Sequence, residues 1–118
     1  MRRPASGTAG RRAARTHMEL LTDATFETAL AETPAGVLLF FKELCPHCKN
    51  MEKVLDKFAA MEPAARLFAI DIEKNPAAAA AFGAERPPTL FVIKNGKEAA
   101  RKAGLMNPKE LLALYKKS

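Results

Sequence analysis

Val37-Leu-Leu-Phe-Phe41 runs directly into Lys42-Glu-Leu-Cys-Pro-His-Cys-Lys-Asn50, which holds both cysteines of the 118-residue chain at positions 45 and 48. Five consecutive apolar residues without alternation have the length and pattern of a strand buried on both faces. Beyond the cysteines, Met51, Val54, Leu55 and Phe58 recur at helical spacing, the signature of a helix with one apolar face. Cys45 thus stands where a buried strand hands over to a helix, with Pro46 fitting the first helical position and Cys45 the cap. The free backbone N–H groups of His47 and Cys48 are expected to point at the Cys45 sulfur, and the helix dipole adds partial positive charge. His47 can add a cation beside it, as can Lys49. Such surroundings favour thiolate over thiol, and the thiolate is the form that attacks.

Three uses of the pair are open: a metal clip, a structural staple, or a dithiol that cycles with a disulfide. Cys48 lies nearly one helical turn beyond Cys45, so the two sulfurs can bond without unwinding the backbone. In a redox cycle Cys45 attacks a partner's disulfide, and Cys48, the more buried sulfur, then attacks the mixed disulfide and frees the partner. A structural zinc site needs four ligands, and neither a second cysteine pair nor a histidine pair is present; His47 lies between the cysteines and His17 in the tail. No metal site is expected. A thiol pair without chemistry is also disfavoured, because cap-positioned cysteines fill a core poorly.

The remaining elements follow from the same periodicities. Residues 19–21 read as a short strand, with Thr22 or Asp23 capping a helix that carries Phe26, Ala29 and Leu30 on one face. Arg66 to Ile72 reads as a second interior strand. Asn75-Pro76 opens an alanine-rich helix that closes at Gly83, a proline start and glycine stop. Thr89 to Ile93 is a strand, Asn95-Gly96 a hairpin turn and residues 98–103 its antiparallel partner. Asn107-Pro108 begins a last helix bearing Leu111, Leu112 and Tyr115. The order is βαβαβα followed by ββα, which predicts an α/β fold with a mixed central sheet covered by helices on both faces.

The net charge of +6 does not make the chain a nucleic-acid binder, because of where the charge lies. Residues 1–17 hold five arginines and no acid, leaving fourteen Lys and Arg against thirteen Asp and Glu in residues 18–118. The first seventeen residues read as a disordered basic extension, and residues 18–118 as one folded domain. The extension has no apolar segment of secretory type, and Met18 is an alternative start. Its Arg-rich, acid-free composition also overlaps with organelle transit peptides. No apolar run approaches 18 residues, so no membrane span is expected. The expected compartment is the cytoplasm, where a permanent disulfide is not expected.

On these residues the chain resembles the thioredoxin family. The resemblance runs from about Met18 to Lys117. Besides Cys45-Pro-His-Cys48 it includes Asp71-Ile-Glu-Lys-Asn-Pro76, Arg86-Pro-Pro-Thr-Leu-Phe-Val-Ile-Lys-Asn-Gly-Lys97 and Gly104. It implies a thioredoxin fold and a thiol–disulfide oxidoreductase that reduces protein disulfides. No bound cofactor is implied; an NAD(P)H-dependent flavoprotein, thioredoxin reductase, recharges the dithiol. It further implies a cis peptide at Pro88 and a groove for an extended client segment formed by Leu44, Pro87, Pro88, Thr89 and Gly104, engaged by strand-like backbone pairing. The near-neutral domain is expected to be a monomer.

The departures are as informative. Family members typically carry Trp-Cys-Gly-Pro-Cys, whereas Leu44 stands before Cys45 here and Pro46-His47 lies between the cysteines. The family's buried Asp, which helps to deprotonate the second cysteine, falls at Leu39, and its Lys partner at Ala69. Solvent, Glu43 or His47 must then take the Cys48 proton. Lys53 replaces a helix-kinking proline, and Pro87 lacks an N–H for the client strand. Pro46-His47 also resembles the strongly oxidising members of the superfamily and some atypical thioredoxins of anaerobic bacteria and archaea. A stabilised thiolate stabilises the reduced form, so the expected reduction potential is less negative than the roughly −270 mV of ordinary thioredoxin. A disulfide-forming oxidant and a non-catalytic binding module on the same fold are the alternative functions.

Overall fold

The computed structural model describes residues 18–84 and 86–118; the basic extension lies outside the described residues. The elements are β1 (Met18–Leu20), α1 (Phe26–Ala31), β2 (Ala35–Phe41), α2 (Pro46–Met61), β3 (Arg66–Asp71), α3 (Pro76–Phe82), β4 (Thr89–Lys94), β5 (Lys97–Ala103) and α4 (Pro108–Lys117). They form a five-stranded sheet in the order β1-β3-β2-β4-β5. β3 is parallel to both β1 and β2, whereas β4 is antiparallel to both β2 and β5. This is the mixed sheet that the element order demands.

Strand alternation sorts the core into two halves. Leu38, Phe40, Phe68, Ile70, Phe91 and Ile93 face α1 and α3. Their neighbours Val37, Leu39, Leu67, Leu90 and Val92 face α2 and α4. Successive side chains of a strand point to opposite faces, so an unbroken apolar run is what burial on both sides requires.

Two elements depart from expectation at the N-terminal end. The first strand is Met18–Leu20, one residue earlier than read, and α1 starts only at Phe26. Neither Thr22 nor Asp23 caps it; Thr25 occupies that position without a side-chain cap bond. The reason is tertiary. The Asp23 carboxylate accepts from the backbone N–H groups of Ala77 at 3.3 Å and Ala78 at 2.8 Å, and so serves the start of α3 instead. Asn75 returns a bond, its Oδ1 accepting from the Asp23 N–H at 2.9 Å. Thr22 is spent on a local turn in which its carbonyl accepts from the N–H groups of Thr25 and Phe26.

The other signals act where they stand. Gly83 closes α3 with a φ of 65°. Asn95 and Gly96 both have positive φ, 53° and 79°, as the tight β4–β5 hairpin requires. α4 carries a full capping box, with Asn107 accepting from the Glu110 N–H and Glu110 accepting from the Asn107 N–H. α2 runs uninterrupted for 16 residues across the position of Lys53.

Candidate active site

Cys45 is the N-cap of α2, in extended backbone geometry, and Pro46 takes the first helical position. The Cys48 backbone N–H donates to the Cys45 Sγ at 3.3 Å. Among the described residues only that N–H donates to the sulfur; His47, expected to contribute a second, makes no such bond. A capping side chain serves the second or third helical N–H, and here it selects the third. Above the helix, Cys45 is half-buried and its sulfur is free; Cys48 is only 1% exposed and also free.

This burial sets the protonation of the pair. The Cys48 thiol is pushed up from 9.0 to about 12, first by burial, then by the hydrogen bond its S–H makes to Cys45, and further by the charges of Cys45 and Glu52. A backbone hydrogen bond from Lys42 opposes the shift. Cys48 is therefore held as a thiol whose S–H is directed at Cys45, the sulfur that also receives the Cys48 N–H.

The stability of the reduced protein should show this. Folded Cys48 holds its proton to about pH 12, whereas the unfolded thiol releases it near 9.0. The stabilisation is complete below pH 9 and is lost as pH rises towards 12, because the unfolded chain then binds fewer protons. Urea midpoints measured at pH 8 and 10.5 should fall more in the reduced protein than in the oxidised one, which has no thiol to titrate. Equal falls would mean that Cys48 is not held as a buried thiol.

The sheet beneath the pair is apolar. Leu39 and Ala69 face each other in register between β2 and β3 and are both buried. The positions at which the resemblance places an acid and its lysine thus hold no titratable group. The base for Cys48 must come from elsewhere.

The peptide between Pro87 and Pro88 is cis, as the resemblance implied. Pro88 is buried, while Pro87 is half-buried and joins Lys42, Leu44, Cys45, Pro46 and Arg86 around an open cleft of about 390 Å³. Leu44 has a φ of 60° and is 95% exposed, presenting an apolar side chain next to Cys45. Thr89 is buried; its hydroxyl donates to the Arg86 carbonyl, and it lines a neighbouring cleft with Arg86 and Arg101. Gly104 has a φ of 87° and donates its N–H to the Pro88 carbonyl at 2.9 Å. A side chain there would meet no atom within 4 Å, yet Gly104 lines none of the clefts beside the cysteines. Leu44, Pro87 and Cys45 therefore come together, and Pro88 and Gly104 form the backbone support behind them.

Sequence reasoning missed Lys42 and Arg86 in the first cleft and Glu52 in a second, where Cys45 and Cys48 both open. Lone charged residues on a loop or helix carry no signal of their own. Among the described residues, no group of three or more His, Cys, Asp or Glu is gathered to hold a metal ion. Nor is any described helix long and apolar enough to cross a membrane.

The thioredoxin family model matches residues 17–117. The chain belongs to the thioredoxin family. It is 33% identical over 102 residues to the thioredoxin of Chlamydia muridarum, covering 85% of this chain and 97% of that one. The thioredoxin of Haemophilus influenzae is 34% identical over 97 residues, covering 80% and 90%. Reduced desulfothioredoxin of Desulfovibrio vulgaris Hildenborough superposes with a TM-score of 0.71 at 45% identity, covering 83% of this chain and 90% of that one. Chlamydomonas reinhardtii thioredoxin f2, at 20% identity and a TM-score of 0.76, shares the fold. Thioredoxins are thiol–disulfide oxidoreductases, and Cys45 and Cys48 are placed like an active-site dithiol.

Proposed function

We propose that the chain reduces disulfides in protein clients, with Cys45 as nucleophile and Cys48 as the resolving thiol. One observation carries the assignment: a half-exposed sulfur at a helix N-cap receives hydrogen bonds from the N–H and S–H of a buried neighbour. The Cys45 thiolate attacks one client sulfur, the client S–S bond breaks, and one client thiolate leaves with its electron pair. In the mixed disulfide Cys45 is neutral, so its charge and its hydrogen bond no longer hold the Cys48 proton. Cys48 then loses that proton, attacks the Cys45 sulfur and releases the second client thiol. The dithiol has been oxidised by two electrons and the client reduced by two.

Pro46 fixes the first turn, and His47, exposed beside it, is the residue that tunes Cys45. Clients lie along the cleft between Leu44 and Pro87, with Pro88, Thr89 and Gly104 as its support. No bound cofactor is needed, and an NAD(P)H-dependent flavoprotein, thioredoxin reductase, returns the dithiol to its reduced state. The protein works as a monomeric electron carrier in the cytoplasm, where dithiols are kept reduced.

A second reading, a disulfide-forming oxidant, draws on the same hydrogen bonds. They exist only in the reduced form and stabilise it, which raises the potential. Insulin reduction with NADPH and a flavoprotein reductase, paired with equilibration against glutathione, separates the two. Turnover at a potential moderately above about −270 mV supports the reductase. A potential near the −120 mV of strong oxidants, with no insulin reduction, would make the chain a disulfide donor.

A further inference from the structure

We infer that Glu52 is the group that takes the proton from Cys48 when the mixed disulfide is resolved. The inference rests on the reductase reading above and fills the gap left beneath the pair, where Leu39 and Ala69 offer no base. Glu52 lies four residues beyond Cys48 on α2, which places both side chains on one face of the helix. Both line an open cleft of about 330 Å³ that also reaches Cys45. The cleft brings solvent up to Cys48, which is itself only 1% exposed. The Glu52 charge acts on the Cys48 thiol, as the last and smallest of the influences that raise it, so the shared helix face and cleft are what bring the carboxylate to the thiol.

The rivals fit less well. Lys42, Glu43 and Lys49 also face the cleft, but the two lysines are cations and cannot accept. Glu43 is engaged by Lys74 of the β3–α3 loop at 3.3 Å. His47 does not line the cleft, whereas Glu52 does and makes no ion pair among the described residues. The step balances as follows. The Cys48 S–H bond breaks with its proton passing to the Glu52 carboxylate across the cleft. The freed sulfur pair forms the Cys45–Cys48 bond, the Cys45–client bond breaks, and the client thiolate departs with those electrons. Glu52 then returns the proton to solvent or to the departing thiolate.

The aromatic disulfide DTNB tests this on the full-length protein. Attack by Cys45 releases one thionitrobenzoate, and resolution by Cys48 releases a second. In Glu52→Gln at pH 7 the second release should be about tenfold slower, the lower end of general-base effects and consistent with solvent as a fallback. The first release should stay within about twofold, and Glu52→Asp should recover part of the second rate. As pH rises towards 10, hydroxide replaces the carboxylate and the deficit should close. A Glu52→Gln second phase equal to wild type, or slowed by the same factor at every pH, would overturn the assignment. Wild type that releases only one thionitrobenzoate would instead overturn the dithiol reading itself.

Discussion

Cys45→Ser should reduce insulin no faster than background, a loss on the order of a thousandfold or more, as expected when a covalent nucleophile is removed. Cys48→Ser should behave differently. It keeps Cys45 and the N–H that its own backbone donates to that sulfur, and its hydroxyl can replace the S–H as donor. The first attack therefore survives, and the reaction stops at a mixed disulfide with no resolving thiol. Non-reducing gels and intact-mass measurement should show the client attached to Cys48→Ser and not to Cys45→Ser. An adduct on Cys45→Ser alone would reverse the roles, and adducts on both variants would remove the distinction between them. Cys48 is the less able attacker on two counts, being 1% exposed and holding its proton to about pH 12. The asymmetry thus comes from burial depth across one helical turn and needs no difference in the intrinsic chemistry of the two thiols.

What could be read in advance was what local chemistry decides. The run at residues 37–41 has the length and pattern of a doubly buried strand, and Cys45-Pro46 fits a cap and first turn. Asn95-Gly96 and Asn107-Pro108 specify a hairpin and a helix start through backbone angles and side-chain caps that need no tertiary help. Asp23 was misplaced because its partners, the N–H groups of Ala77 and Ala78, lie more than fifty residues away in the chain. A capping residue announces that it will accept from a helix, not from which one. Glu52 was passed over for a similar reason. On a helix with Lys49, Lys53 and Asp56 it reads as one more solvated charge; the cleft shared with Cys48 separates it from Lys53 and Asp56, and its carboxylate separates it from Lys49, which lines the same cleft. Lys42 and Arg86 meet beside Cys45 because β2 and β4 are neighbours in the sheet, a pairing that no local pattern encodes.

The division of the core into two halves predicts that stability and reactivity can be separated. Phe91 is fully buried on the α1–α3 face, with ring centroids 5.5 Å from Phe40 and 4.8 Å from Phe82 and the Arg101 guanidinium 4.7 Å from its ring. Phe91→Ala should cost about 4 kcal/mol, from lost burial, a residual cavity and broken ring pairs. That is a large part of the stability of a small domain, and a melting temperature lower by about 20 °C should report it. Phe58→Ala should cost a similar amount, since Phe58 is also fully buried and packs its ring against Tyr115 at 5.3 Å. Phe58, however, belongs to α2 and shares the opposite half of the core with Met51 and Leu55, which anchor the helix that carries Cys48. At a temperature where both variants are folded, Phe91→Ala should resolve DTNB at the wild-type rate, and Phe58→Ala should resolve it several-fold more slowly. The contrast tests whether the sheet separates the two cores mechanically. Equal slowing in both variants would mean that the position of the buried thiol depends on the whole sheet, and that the anchoring of α2 is not what sets it.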